Sequence, residues 1–210
     1  MSKQTYEDFL KELDVLWTDE NIMQVLDYMN IDYEYLGNEE DKDMNKLYYG
    51  TSIATIGESN DSIRVANNMR YLGYDVYAAA ENKEINDKTN NPPPNAIYKG
   101  DVPRIIESDI FVVNLTGGTQ DGTIAEVGFV TGWNEKCMKD NEPEKCIHMV
   151  GFTTNARLLN PQHHKGLPSA GVGHLGIAMI EEFGTFVGGE KELYEYLSNY
   201  IKKWVFNECV

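Results

Sequence analysis

The chain has 210 residues, 41% of them hydrophobic, with 34 acidic residues against 18 basic ones and a formal charge of -16. That length suits one domain with a substantial core, and no apolar stretch is long enough for a membrane span. The negative balance disfavours nucleic acid as a partner, because phosphate backbones are held by clustered Lys and Arg.

The amino-terminal residues MSKQTYEDFLKELD carry acidic side chains where a secretory signal would have its apolar segment, so a cytoplasmic location is expected. Across residues 1–45, Tyr6, Phe9, Leu10, Leu13 and Trp17 recur at helical spacing, and Ile22, Val25, Leu26 and Met29 repeat the pattern. An acidic helical extension is expected there, ahead of an α/β domain over 46–210.

Lys46 to Gly50 reads as the first strand, followed by a loop rich in small and hydroxyl residues. A helix is expected from about Ser59 to Leu72, with Val65, Met69 and Leu72 inward and Gly73 as its stop. Tyr74 to Ala79 reads as the second strand. The segment ENKEINDKTNNPPPNA reads as a long loop with a stiff polyproline stretch, and a helix is expected to begin near Asp101 with Pro103 in its first turn and Ile105 and Ile106 inward.

The central stretch runs from Asp109 to Lys136. A β-branched and aromatic strand, Ile110 to Val113, leads into the glycines Gly117, Gly118 and Gly122 and then a helix with Ile124, Val127 and Thr131 on one side. Glu126 lies near the start of that helix, beyond the carboxyl end of a strand, where ligands gather in open parallel sheets. Thr123-x-x-Glu126 also fits a capping box. Lys145 to Phe152 reads as the fourth strand, followed by a long loop with His163 and His164, which read as a surface pair. A helix over Leu175 to Glu182, a strand over Gly184 to Val187 and a final helix over Glu190 to Trp204 complete the chain, the last with Leu193, Leu197, Tyr200 and Trp204 inward.

Strands alternating with helices predict a three-layer α/β fold: a flavodoxin-like parallel sheet of about five strands with helices on both faces. Neither a G-x-G-x-x-G fingerprint nor a P-loop is present, and no cofactor or metal is expected. Cys137, Cys146 and Cys209 lack metal-site spacing and read as free thiols.

Three segments resemble the nucleoside 2-deoxyribosyltransferase family: Leu47-Tyr48-Tyr49-Gly50, Tyr98-Lys99-Gly100-Asp101 with Ser108-Asp109-Ile110, and Asp121-Gly122-Thr123-Ile124-Ala125-Glu126-Val127-Gly128-Phe129. They span most of residues 46–136. The resemblance implies that Glu126 is a nucleophile, that Tyr48 hydrogen-bonds to it and that Asp101 acts near the nucleobase. Where the family commonly has an aspartate six residues before the nucleophile, this chain has Gln120, with Asp121 next. Asp121, Gly122, Thr123, Gly50 and Asn114 are the expected substrate contacts.

The activity so implied is transfer of 2-deoxyribose from a deoxynucleoside to another nucleobase through a glycosyl-glutamate ester, in a homo-oligomer, with Asp101 or Asp121 exchanging the proton with the base. A hydrolase acting on deoxynucleosides or their 5'-monophosphates shares this site chemistry, and a nucleotide-sensing module could share the fold without turnover.

Overall fold

The computed structural model describes residues 45–86, 93–115, 121–154 and 174–207. The expected extension over 1–45 therefore lies almost wholly outside them, as do the glycines 117 and 118, His163, His164 and Cys209.

Five strands form one sheet: β1 (Lys46–Gly50), β2 (Asp75–Ala78), β3 (Ile110–Asn114), β4 (His148–Phe152) and β5 (Gly184–Gly188). Every pairing is parallel and the order is β2-β1-β3-β4-β5, the flavodoxin-like arrangement expected from the alternating elements. Strand order reverses between β1 and β3, and in open α/β sheets ligands gather beyond the carboxyl ends of the strands at such a point. All five residues of β3 are buried, which accounts for its unbroken apolar run.

The helices are α1 (Ile56–Tyr71), α2 (Lys83–Asn86), α3 (Pro94–Ile106), α4 (Asp121–Lys139), α5 (His174–Glu182) and α6 (Glu190–Asn207). Strand alternation divides the core between two faces. Leu47, Tyr49, Ile110, Val112, Val150 and Phe152 pack with Val65, Ala66 and Met69 of α1 and with Leu193, Tyr194 and Leu197 of α6. On the other face Tyr48, Phe111, Val113 and Met149 meet Ile105 of α3, Val127 and Val130 of α4, and Ile180 of α5. Among the described residues no helix is long and apolar enough to cross a membrane.

Helix α1 starts at Ile56, earlier than expected, because Thr55 and Glu58 form a reciprocal capping box. It stops as expected at Gly73, whose φ of 95° few other residues tolerate. The largest departure is α3. It begins at Pro94 rather than near Asp101, since a proline at the first helical position sacrifices only an amide that has no intrahelical partner. Pro103 consequently lies inside the helix and Asp101 in its second half, while Ile105 is buried but Ile106 is 39% exposed. Ile124 is likewise 41% exposed rather than sharing the inward side with Val127. Its terminal methyl faces Gly176 of α5, where an added Cβ would lie 3.6 Å away.

Candidate active site

Three aromatic residues in register across β2, β1 and β3 form the floor of the site. Tyr48 is paired with Tyr77 on one side and Phe111 on the other. Parallel register brings their rings into stacks, 5.3 Å between the centroids of Tyr48 and Tyr77 and 5.7 Å between those of Tyr48 and Phe111. The hydroxyls of the two tyrosines each hold a carboxylate. Tyr48 donates to Glu126 Oε1 at 2.7 Å, and Tyr77 donates to Asp101 Oδ1 at 2.9 Å.

Glu126 arrives from α4. The helix begins at Asp121, so Thr123 sits within its first turn and Glu126 in its second. This excludes the Thr123–Glu126 capping box, which requires the threonine to precede the helix. Instead the Glu126 side chain turns toward β1. Its Oε2 lies against Gly50, where an added Cβ would come to 2.9 Å from that oxygen and 3.0 Å from the Phe111 ring. Gly50 is thus needed for a close approach, since a side chain there would displace the carboxylate.

Burial is the largest influence on the acidity of both carboxyls. Burial pushes the Glu126 carboxyl up from 4.5 to about 7; the Tyr48 hydrogen bond opposes the rise, and the charge of nearby Asp101 adds to it. Tyr48 is driven far above its ordinary range by burial and then by the Glu126 and Asp101 charges, so it stays protonated and donating. Burial also raises Asp101, against the lowering effect of the Tyr77 hydrogen bond. Two carboxyls raised by burial, each held by a tyrosine and one raised further by the charge of the other, are equipped to divide the roles of nucleophile and proton carrier.

The expected site residues separate into those that meet and those that do not. Tyr48, Glu126, Asp101 and Gly50 come together at the carboxyl ends of β1 and β2. Thr123 is buried and Gly122 exposed in the first turn of α4. The Asp121 side chain lies outside the described residues. Asn114 is buried at the end of β3, but on the opposite face, where the Tyr49 hydroxyl approaches it. A strand residue's face is decided by alternation, and counting from Phe111 and Val113 places Asn114 away from Glu126.

Sequence reasoning missed Tyr77 and Asn82. Asn82 Nδ2 donates to the Tyr77 hydroxyl oxygen at 2.9 Å, and the Arg104 guanidinium lies 5.8 Å from the Tyr77 ring centroid. The local signal was position, since Tyr77 lies near the carboxyl end of β2 and Asn82 in the connection that follows it. Among the described residues no group of three or more His, Cys, Asp or Glu side chains gathers as metal ligands would.

No protein-family profile and no curated protein sequence matches this chain. Among solved structures it is similar to a conserved protein from Enterococcus faecalis V583, with a TM-score of 0.59 and 22% identity over 75% of this chain and 99% of that one. At that identity the likeness speaks to the fold.

Proposed function

We propose that the protein transfers 2-deoxyribose between nucleobases, with Glu126 as the nucleophile. The observation that carries this reading is the partly buried hydrogen bond from Tyr48 of β1 to Glu126, with a buried carboxyl, Asp101, close enough to raise Glu126. In the first half-reaction a Glu126 oxygen bonds to C1' as the C1'–N bond breaks, and the proton of Asp101 goes to the departing base. In the second, a nitrogen of the incoming base attacks C1', its proton returns to Asp101, and the ester bond breaks to restore the Glu126 carboxylate. Tyr48 holds Glu126 through Oε1 and stabilises the ionised form that must attack.

An unphosphorylated substrate fits better than a 5'-monophosphate. The two arginines nearest the first loop are already committed: Arg64 to Glu190 and Asp61, and Arg70 to Glu81. The amino terminus of α1, which could otherwise receive a phosphate, is closed by the Glu58 carboxylate accepting from the Thr55 amide at 2.8 Å. A hydrolase would use the same carboxylates with water as acceptor. Incubating the protein with a deoxynucleoside and a second free base, and following products by chromatography, separates the readings. A new nucleoside supports transfer, free base alone supports hydrolysis, and unchanged substrate defeats both.

A further inference from the structure

Asp101 does not stand alone. Its Oδ1 accepts from the Tyr77 hydroxyl, and that hydroxyl oxygen in turn accepts from Asn82 Nδ2, each at 2.9 Å. The orientation of the Asn82 amide is fixed from its other end, because Asn82 Oδ1 accepts the backbone N–H of Glu84 at 3.1 Å. With the carbonyl oxygen so engaged, the NH2 group must face Tyr77. An NH2 group cannot accept a proton, and a hydroxyl has only one to give, so the Tyr77 proton points at Asp101. Gly100 lets α3 come close enough for this chain of bonds: an added Cβ there would collide with Ile85 and lie 3.3 Å from Asn82 Nδ2.

We propose that Asn82 and Tyr77 are positioning residues for Asp101, keeping its Oδ1 an acceptor and confining any proton that Asp101 carries to Oδ2. What that proton does rests on the deoxyribosyl-transfer reading; the direction of the relay does not. During turnover Oδ2 alone then gives the proton to the leaving base and takes one from the incoming base. The relay therefore selects one lone-pair direction for proton exchange, which fixes where the base nitrogen must sit.

The test compares full-length wild type with Tyr77→Phe and Asn82→Ala. The Asp101 carboxyl is followed by carbon-13 NMR as pH is varied, and the pH profile of turnover is recorded beside it. Loss of the Tyr77 donor is expected to raise the Asp101 titration midpoint by about one pH unit, with a smaller rise in the same direction for Asn82→Ala, since the tyrosine proton is then free to turn away. The alkaline limb of the turnover profile should move by the same amounts, with kcat falling about tenfold in Tyr77→Phe and KM little changed. A midpoint and limb that stay at the wild-type positions while melting temperature drops would make Tyr77 a packing residue and overturn the proposal. Wild-type protein with no transfer or hydrolysis would defeat the functional reading instead, and the NMR midpoints would still decide the relay.

Discussion

Two tyrosine–glutamate hydrogen bonds of the same length, 2.7 Å, lie on opposite faces of the sheet. On the α1/α6 face Tyr194 donates to Glu190, and the same carboxylate receives Arg64 through both guanidinium NH2 groups at 2.5 and 2.7 Å. On the other face Tyr48 donates to Glu126, and the charge that acts on Glu126 among the described residues is that of another carboxyl, Asp101. The hydrogen bond is therefore not what distinguishes an ion-paired carboxylate from the proposed nucleophile. The third group decides. Glu190 is ion-paired with a cation, whereas burial beside Asp101 raises the Glu126 carboxyl to about 7, so that it changes protonation near neutral pH, as the proposed nucleophile would.

The comparison breaks most visibly if the two glutamates are exchanged for glutamine in turn. Glu126→Gln should lower turnover by a factor on the order of 10³ or more with the fold retained, as loss of a covalent nucleophile does. Glu190→Gln should leave the reaction chemistry intact. Mass spectrometry after exposure to a 2-fluorinated deoxynucleoside should place the sugar adduct on Glu126 and nowhere else. An active Glu126→Gln protein would remove the functional half of the contrast.

Next in size is the effect of the cation. Arg64→Leu leaves Glu190 partly buried without its partner, and a loss of about 3 kcal/mol in denaturant-induced unfolding is expected. Gly50→Ala sharpens the comparison from the reactive side. Its Cβ, 2.9 Å from Glu126 Oε2, should shift the carboxylate and reduce turnover about 10²-fold, with far less change in melting temperature.

The smallest effect is on pH dependence. Because the folded chain holds the Glu126 carboxyl near 7 against an ordinary 4.5, it keeps a proton across that interval that the unfolded chain has released. Stability from this group is thus fully present below about 4.5 and lost as pH rises to about 7. Glu126→Gln should melt higher than wild type at pH 8, by on the order of 2 kcal/mol, with the difference closing toward pH 4.5. Thermal melts at the two pH values measure it.

Much of this frame was legible in the residues. The alternation of apolar strands with amphipathic helices predicted the parallel sheet, and the family resemblance predicted the Tyr48–Glu126 hydrogen bond that the structure contains. What escaped depends on contacts remote in sequence or on where a helix begins. Tyr77 reaches Asp101 across 24 residues and Arg64 reaches Glu190 across 126, and no local pattern announces either. The run of prolines at 92–94 read as a stiff loop, yet its last member opens α3. Thr123 and Glu126 had the spacing of a cap, and only the helix starting at Asp121 removed that alternative.

The Arg64–Glu190 clamp also bears on the order in which the chain can acquire its structure. It joins the first helix of the sheet to the last, and the apolar side of α1, with Val65, Ala66 and Met69, is covered jointly with Leu193, Tyr194 and Leu197. On a ribosome α1 and the first strands emerge well before residues 190–197, so this half of the core waits, partly uncovered, until synthesis reaches α6. Closure of the clamp is then a late event with a large loop to close, and its loss should speed unfolding more than it slows folding.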